Sequence, residues 1–290
     1  MTCDRCARAV DTAVGNVAGV VASHTRAADG VARVVAAPGV SPDAIAAAVR
    51  AAGYTVVSVS RAADGDDDDA GDAPLDLLIV GAGSAGFAAA IRARELGARV
   101  ALVERGALGG TCVNVGCVPS KTLIRAAEVV HRALHHGFAG IRFAPPALDF
   151  RAVIEDKRHL VAELQQAKYW DVLAAHPDIR LLRGTARLRA DGGVDVDGRP
   201  VPARNVLIAT GSHPHVPAIR GLADAETVTS TELMDLDERP DRLVVLGGGY
   251  VGLELGQTFA RFGSRVTVLA RSRLLSREEP ALGAALADYL

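Results

Sequence analysis

The chain has 290 residues, a formal net charge of −2 and a hydrophobic fraction of 49%. This composition is typical of a globular protein in water, and the length is sufficient for more than one domain. It does not fit a nucleic-acid-binding protein, which carries a basic patch, and no uncharged apolar run reaches the ~18 residues of a membrane span. Charged residues interrupt the N-terminus, which excludes a secretory signal peptide. We therefore expect a cytoplasmic protein without nucleic-acid or membrane partners.

Residues 1–61 predict a small α+β domain in the order helix, strand, strand, helix, strand. The segment CARAVDTAVGNV has apolar residues at helical spacing, and VVASHTRAADGVARVVAA predicts two strands joined by a turn at AADG. A second helix, SPDAIAAAVRAAGY, begins with the capping residue Ser41 and with Pro42 at its first position. TVVSVS then alternates as a strand does. The next residues, AADGDDDDAGDAP at 62–74, contain six aspartates and predict a solvated linker.

After this linker, LDLLIVGAGSAGFAAAIRARELGARVALVE predicts a buried strand, a glycine turn, a helix and a second strand. Gly81 permits the tight turn, Gly83 lets the backbone approach a pyrophosphate, and Gly86 permits close packing of the helix on the strand. Free amides and the helix dipole favour phosphates at the start of this helix. Glu104 ends the second strand, where a ribose hydroxyl needs an acceptor. This unit predicts a dinucleotide-binding fold.

DRLVVLGGGYVGLELGQTFARFGSRVTVLAR repeats this arrangement later in the chain, with Gly247, Gly249 and Gly252 as its glycines. Its second strand ends at Ala270, where an NAD-binding site would have an acidic residue. Three arginines follow at once: Arg271, Arg273 and Arg277. An arginine cluster without the carboxylate favours the 2′-phosphate of NADP(H), and a solvated charged face is the alternative interpretation.

The four cysteines form two close pairs, Cys3 with Cys6 and Cys112 with Cys117. In a reducing cytosol, paired cysteines more often bind metal or do redox chemistry than stabilise the fold. The second pair lies in GGTCVNVGCVPSK, where Cys117 enters a predicted helix that continues through KTLIRAAEVVHRAL. A thiolate is favoured at a helix N-terminus, which suits thiol exchange.

This stretch resembles the active-site disulfide of the flavin disulfide reductases, a family that includes glutathione reductase, dihydrolipoamide dehydrogenase and mercuric reductase. The order in that family is an FAD fingerprint, the redox pair, an ATG motif and an NAD(P) fingerprint. All four occur here, with VLIATGS at residues 206–212 as the third, and the resemblance covers residues 75–290. The resemblance implies FAD and NADPH as cofactors and a homodimer as the assembly.

The resemblance also implies roles for individual residues. Cys112 is the thiol that attacks the substrate, and Cys117 is the thiol on the flavin side. Lys121 and Glu254 match an ion pair beside the flavin ring. Further cofactor contacts fall on Gly110, Thr111, Thr210 and Gly211.

The N-terminal MTCDRC resembles the metal-binding loop of heavy-metal-associated domains, which have a ferredoxin-like fold. Two thiolates, Cys3 and Cys6, suit soft ions such as Hg(II) and Cu(I), whereas structural zinc needs four ligands. A metal-trapping domain fused to a disulfide reductase resembles the mercuric reductases. That resemblance implies reduction of Hg(II) to Hg(0) by NADPH through FAD, with small thiols as further partners. It also implies that Cys112 and Cys117 hold the ion and that Tyr169 lines its site.

Two other functions are open at this stage. One is a reductase of the dihydrolipoamide or glutathione type, which the redox loop alone does not exclude. The other is a metal-binding chaperone whose flavin part has no activity. Three histidines near the end of the helix after the redox pair lack acidic or thiol neighbours, and we interpret them as surface residues: His131, His135 and His136.

The expected fold class is α/β, with a ferredoxin-like α+β module followed by FAD-binding and NADP-binding Rossmann-like domains. The expected boundaries are 1–61 for the module, 62–74 for the linker, 75–239 for the FAD-binding domain and 240–290 for the NADP-binding domain. The module lacks the strand that precedes the MTCxxC loop in heavy-metal-associated domains, and the last domain stops within a helix. We therefore expect a fragment that does not turn over alone.

Overall fold

The structure is a computed structural model that describes residues 4–26, 30–37, 39–59, 74–144 and 146–290. These residues divide into two compact units. The first runs to Leu108 and resumes over Ala162–Thr210, and the second comprises Gly109–Val161 and Gly211–Leu290. In the described part of the chain, no helix is both long and apolar enough to cross a membrane.

The N-terminal part of the first unit consists of two helices and an antiparallel hairpin. Its elements are α1 (Asp4–Gly15), β1 (Val20–Arg26), β2 (Val31–Ala36) and α2 (Pro42–Ala51). Val10 and Val14 lie on one face of α1 and are fully buried. The hydroxyl of Ser41 caps α2 by accepting a 3.1 Å hydrogen bond from the Asp43 amide, which confirms the predicted cap. The predicted turn and linker, residues 27–30 and 62–74, lie mostly outside the described residues.

Asp11 joins α1 to the hairpin. Its carboxylate accepts hydrogen bonds from the hydroxyls of Ser23 (2.8 Å) and Thr25 (2.7 Å) and from the Thr25 amide (3.1 Å). The strand predicted at TVVSVS is wrong in its described part, because residues 55–59 form no strand. A strand needs a neighbouring strand to satisfy its backbone N–H and C=O groups. Among the described residues the sheet here contains only β1 and β2, so residues 55–59 have no such partner. Val57 is accordingly 96% exposed.

The rest of the described chain continues with further helices and strands. The helices are α3 (Ser84–Glu95), α4 (Gly110–Asn114), α5 (Cys117–Leu134), α6 (Phe150–Gln165), a π-helix (Gln166–Trp170), α7 (Asp171–Ala175), a 3-10 turn (Leu222–Asp224), α8 (Ser230–Leu233), α9 (Tyr250–Arg261) and α10 (Pro280–Tyr289). The strands are β3 (Leu77–Val80), β4 (Val100–Glu104), β5 (Ile179–Arg183), β6 (Ala186–Leu188), β7 (Val194–Val196), β8 (Arg199–Val201), β9 (Val206–Ile208), β10 (Arg242–Leu246) and β11 (Arg265–Leu269).

A parallel sheet in the order β5-β4-β3-β9 is the centre of the first unit. α3 connects β3 to β4, and Leu78, Ile79 and Leu102 on these two strands are fully buried. Strands β6, β7 and β8 form a separate antiparallel sheet. The strand–helix–strand order and the parallel pairing confirm the predicted α/β fold with a Rossmann-like sheet.

In the second unit, α9 connects β10 to β11, which pair in parallel. Helix α5 packs along α9, and the core beside them contains three phenylalanines. The rings of Phe150, Phe259 and Phe262 have centroids 5.6 to 6.3 Å apart and mostly meet edge to face, which is a favoured aromatic geometry. This core fixes the direction of α5, and therefore the position of the redox pair at its start.

Candidate active site

The first glycine loop lies between β3 and α3. Gly81 has a φ of +107°, and a Cβ there would strike the carbonyl oxygen of Ala209. A Cβ at Gly86 would strike the carbonyl oxygen of Gly81, so α3 and β3 approach as closely as glycine allows. Gly83 is the N-cap of α3 and provides no side-chain cap. The first amides of α3 are therefore available to an anion, as a pyrophosphate requires.

Glu104 holds this loop through its carboxylate. At the end of β4, its Oε2 accepts a 2.9 Å hydrogen bond from the amide of Ala82, and its Oε1 accepts a 2.7 Å bond from the amide of Gly106. Ala82 is fully buried, so its amide depends on this partner. The predicted contact of Glu104 with a ribose stays a prediction, because each carboxylate oxygen has a further lone pair.

Tyr169 lies in the π-helix, where one extra residue per turn changes the direction of the side chains. Its side chain is buried, its hydroxyl shares a 3.1 Å hydrogen bond with the hydroxyl of Ser84, and its ring meets Phe87 edge-on at 4.7 Å. Ser84 is the first residue of α3, so Tyr169 braces the phosphate end of that helix. Sequence reasoning did not single out Ser84, and the serine in GAGSAG is the only signal for it. The predicted role of Tyr169 in a metal site stays a prediction.

The redox pair lies at the junction of α4 and α5. Cys112 is on α4, Cys117 is the first residue of α5, and both thiols are exposed and unbridged. A Cβ at Gly116 would lie 2.8 Å from the carbonyl oxygen of Thr111, so glycine is needed for the tight connection between the helices. A hydrogen bond between the two thiols raises the pKa of Cys112, with burial adding to the shift and the Cys117 amide opposing it.

Lys121 follows one turn after Cys117 on α5 and contacts α9. Its Nζ donates to Oε2 of Glu254 at 2.5 Å, and both side chains remain about half exposed. The structure therefore brings these two predicted residues into contact. Lys121 on α5 meets Glu254 on α9 one helical turn after Cys117.

The remaining predicted cofactor contacts lie in two short segments. Gly110 and Gly211 both have positive φ, at +61° and +70°. Thr111 and Thr210 are exposed, and a Cβ at Gly211 would lie 3.7 Å from the Thr111 hydroxyl. Thr111 and Gly211 are thus neighbours within the second unit.

The second glycine loop lies between β10 and α9, and its three glycines differ in what their surroundings require. Gly247 has a φ of +120°, and a Cβ at Gly252 would lie 2.7 Å from the Gly247 carbonyl oxygen. Gly249 has an ordinary φ of −89°, and a Cβ there would meet nothing within 4 Å. Neither the backbone nor the packing requires glycine at this position. The open space at Gly249 leaves the amides at the start of α9 accessible, as a pyrophosphate needs.

The three arginines after β11 differ in their contacts. Arg273 donates to the carbonyl oxygens of Leu275 (3.1 Å), Ser276 (3.1 Å) and Glu278 (2.7 Å), so its guanidinium holds the shape of its own loop. This corrects the sequence interpretation, which grouped Arg273 with the phosphate-binding arginines. The exposed arginines that remain for a 2′-phosphate are Arg271 and Arg277.

The same loop also lies against the second glycine loop. The amide of Leu275 donates to the carbonyl oxygen of Gly248 at 2.8 Å. A hydrogen bond to Glu278 raises the pKa of Tyr250, the first residue of α9. The arginine segment and the phosphate-binding turn thus form one local structure.

The structure describes only one residue of the N-terminal cysteine pair. Cys3 lies outside the described residues, and Cys6 is in the first turn of α1 and partly exposed. A soft-metal site at this pair therefore stays a prediction from the sequence.

The chain matches the protein family described as "Pyridine nucleotide-disulphide oxidoreductase" over residues 75–290. The mercuric reductase of Streptomyces lividans is 51% identical over 218 residues, which are 73% of this chain and 46% of that protein. The mercuric reductases of Acidithiobacillus ferrooxidans and Shigella flexneri are each 43% identical and align with 99% of this chain and with 53% and 54% of their own lengths. The chain thus spans about half the length of the curated relatives it matches.

Among solved structures, the Cu(II) complex of the HOCl-induced flavoprotein disulfide reductase RclA from Escherichia coli is 34% identical, with a TM-score of 0.63. The similarity covers 73% of this chain and 46% of that chain. FAD and NADPH are the cofactors of this family, and both glycine loops described above fit such dinucleotides. With its fold, its two glycine loops and its paired thiols, the chain belongs to the pyridine nucleotide-disulphide oxidoreductase family, in which its relatives include mercuric reductases.

Proposed function

We propose that this protein is an NADPH-dependent flavoenzyme that reduces Hg(II) to Hg(0). The observation that carries the proposal is the exposed Cys112–Cys117 pair at the junction of α4 and α5, in a chain that aligns with mercuric reductases over 99% of its length. In the overall reaction, NADPH gives up two electrons as a hydride, Hg(II) takes both, and NADP⁺, a proton and Hg(0) remain. FAD bound at the first glycine loop supplies the two-electron relay.

Cys112 and Cys117 bind the substrate in this proposal. Hg(II) is a soft ion that prefers thiolate ligands, and the two thiols interact, since Cys117 raises the pKa of Cys112. Binding releases both thiol protons, and departure of Hg(0) leaves both sulfurs as thiolates for the next ion. Tyr169 remains a candidate metal-site residue on the family resemblance alone, and its hydroxyl shares a hydrogen bond with Ser84.

Lys121 and Glu254 position the redox pair. Their ion pair fastens the first turn of α5, which carries Cys117, to α9. The charge of Lys121 would also stabilise negative charge on a reduced flavin. Because both side chains are about half exposed, we ascribe to this pair a role in orientation rather than a large share of stability.

The coenzyme in this proposal is NADPH, bound at the second glycine loop. The amides that Gly249 leaves open would hold the pyrophosphate, and Arg271 and Arg277 would bind the 2′-phosphate. Arg273 supports them indirectly, because it fixes the loop that carries both.

The N-terminal part is a heavy-metal-associated module in this proposal, with Cys3 and Cys6 as its ligands. The module captures Hg(II) and passes it to Cys112 and Cys117 by thiolate exchange, so the ion is never released. Covalent attachment through the acidic segment at 62–74 raises the local concentration of captured metal near the second thiol pair. Alignment with mercuric reductases across this part of the chain supports the assignment. We further propose that the enzyme is a cytoplasmic homodimer.

A second candidate is a reductase of a small organic disulfide. It is supported by the similarity to RclA, whose name describes a flavoprotein disulfide reductase. The same thiol pair could serve both reactions, because a thiolate at position 112 can attack a disulfide sulfur or bind a soft metal.

One assay separates these functions. Because this chain is not expected to turn over alone, a full-length enzyme that contains it is loaded with FAD and mixed with NADPH, and coenzyme oxidation is followed with Hg(II) and excess small thiol, with oxidised lipoamide, or with glutathione disulfide. We expect stimulation by Hg(II) only, and its loss in the Cys112→Ser variant. Stimulation by a disulfide alone would establish the second candidate, and no stimulation by any of them would contradict both.

A further inference from the structure

The hydroxyl groups of Tyr169 and Ser84 connect the π-helix to the start of α3, where the first glycine loop ends. The two oxygens are 3.1 Å apart, and either one can be the donor. Ser84 is the first residue of α3, and Gly83 caps this helix without a side-chain hydrogen bond. The Ser84 hydroxyl therefore lies beside the amides that are available to a pyrophosphate. We propose that Tyr169 is a positioning residue for FAD, and that it acts on the phosphate groups of the cofactor through the Ser84 hydroxyl.

The chemistry of a phosphate fixes the direction of this hydrogen bond. Ionised phosphate oxygens only accept, so a Ser84 hydroxyl that binds one of them donates its proton to the phosphate. The Ser84 oxygen keeps lone pairs, and the Tyr169 O–H donates to one of these. Hydrogen bonds arranged in such a chain polarise and strengthen one another. Tyr169 thus orients the Ser84 hydroxyl toward the phosphate and makes it a better donor.

Packing holds the Tyr169 side chain in this direction. The residue is only 6% exposed, and its ring meets the Phe87 ring edge to face, with centroids 4.7 Å apart. Phe87 lies about one turn after Ser84 on α3, so the ring and the hydroxyl of Tyr169 contact the same helix. The side chain therefore loses little further freedom when the cofactor binds, as an effective positioning residue requires.

The segment that carries Tyr169 is itself held on both sides by glutamine side chains. Gln165, the last residue of α6, donates through Nε2 to the carbonyl oxygen of the buried Leu108 at 2.9 Å. Gln166, which is also buried, donates through Nε2 to the carboxylate of Asp171 at 2.7 Å. Turns of π-helix are frequent at functional sites, and this one reaches the phosphate end of α3.

The inference requires FAD at the first glycine loop and does not depend on the substrate. The residues that carry it all belong to the first unit. A role of Tyr169 at a metal site would affect the reduction of Hg(II), whereas positioning of FAD affects cofactor binding before any substrate is present. The two roles can therefore be measured separately.

The test is a calorimetric titration with FAD of the cofactor-free form of a full-length enzyme that contains this chain. Tyr169→Phe removes only the hydroxyl and keeps the ring against Phe87. We expect FAD to bind roughly three- to tenfold more weakly, because the contribution of one hydrogen bond is lost. Trp170→Phe is the matched control in the same π-helix, because Trp170 lines an apolar pocket with Leu173 and Ile179. It should bind FAD as the parent does.

A double-mutant cycle tests whether Tyr169 acts through Ser84. Ser84→Ala should weaken FAD binding by itself, and adding Tyr169→Phe should cause no further loss, because there is then no hydroxyl to orient. FAD binding by Tyr169→Phe equal to that of the parent would overturn the proposal. Losses that add in the double variant, or an equal loss in Trp170→Phe, would also overturn it.

A second measurement does not depend on a cofactor-free protein. Phosphorus NMR of the FAD-loaded enzyme reports on the hydrogen bonds to the pyrophosphate. We expect Tyr169→Phe and Ser84→Ala to shift these signals, and Trp170→Phe to leave them in place. Unchanged signals in Tyr169→Phe would contradict the proposal, even for a variant of lower stability.

Discussion

At the scale of the residue, the Cys112 thiol is controlled by its partner. The hydrogen bond to Cys117 raises the pKa of Cys112, so the thiol form persists to higher pH than in a free cysteine. Replacing Cys117 by Ala removes this cause, and the pKa of Cys112 should fall. We expect the pH profile of Cys112 alkylation by iodoacetamide to move to lower pH. Mass spectrometry with Cys6 as the internal reference measures it, and an unmoved profile would show that the partner has no such effect.

Glu104 is the residue on which the first glycine loop depends. In Glu104→Ala the buried amide of Ala82 loses its acceptor, which costs about 1–3 kcal/mol in free energy of unfolding. Glu104→Gln keeps one acceptor oxygen and should lose less. Urea unfolding of the FAD-free protein, followed by circular dichroism, measures both. Equal stability of the Ala variant and the parent would show that the amide finds another partner.

At the scale of the element, substitutions in the second glycine loop can distinguish an effect on folding from an effect on coenzyme binding. Gly249→Ala adds a methyl group where nothing lies within 4 Å, so the free energy of unfolding should change by less than about 0.5 kcal/mol. The same methyl group blocks approach to the α9 amides, so binding of NADPH and of 2′,5′-ADP should weaken. Gly252→Ala is the control, because its methyl group meets the Gly247 carbonyl and should destabilise the fold. Unchanged binding in Gly249→Ala would place the coenzyme elsewhere.

The connection of α6 to the segment after α8 depends on one carboxylate. Lys157, which is buried, donates to Asp235 at 2.6 Å, and the exposed Arg158 donates to it at 2.8 Å. Burial alone would raise the pKa of Asp235, but the hydrogen bonds and charges of Arg158 and Lys157 lower it below its usual range. A lowered folded-state pKa gives stability that is present above the unfolded value of about 3.9 and is lost as the pH falls through the folded value.

Asp235→Asn leaves Lys157 buried without its counter-charge. Because Asp235 is half exposed, we expect a loss of about 1–3 kcal/mol in free energy of unfolding at pH 7. The difference from the parent should shrink as the pH falls below about 4, where the parent also loses this charge. Asp237→Asn, which affects only Arg158, is the control. A difference that is constant with pH would rule out the charge as the cause.

Elements with local causes could be predicted from the sequence. The cap at Ser41 and both glycine turns depend on residues a few positions apart, and the structure has them in place. The strand expected at 55–59 depends on a pairing partner that no local pattern reveals. The brace between Tyr169 and Ser84 joins residues 85 positions apart through a π-helix, and neither the contact nor the π-helix has a sequence signal.

Arg273 shows the same limit within a single segment. Arg273 lies between Arg271 and Arg277, so the sequence alone places all three in one arginine cluster. Its actual partners are carbonyl oxygens exposed by a turn in which Leu275 has a φ of +47°, an uncommon conformation for leucine. The hydrogen-bond partners of Arg273 depend on the path of the backbone. The spacing of the arginines in the sequence does not predict that path.

At the scale of the whole molecule, the two cysteine pairs predict the amount of Hg(II) that the chain retains. Each pair offers the two thiolates that a two-coordinate soft ion needs, and the pairs lie on either side of an acidic linker. After exposure to Hg(II) and removal of excess metal in the presence of a competing thiol, we expect two equivalents on the full chain. Removal of residues 1–70 should leave one equivalent, at Cys112 and Cys117.

The matched control keeps the module and linker and replaces only Cys3 and Cys6 by serine. It should also retain one equivalent, because the loss depends on the thiols and not on the length of the chain. FAD content should be the same in all three proteins, since the first glycine loop and Glu104 lie after the linker. Equal Hg(II) retention by the full chain and both variants would show that the N-terminal pair does not capture the metal.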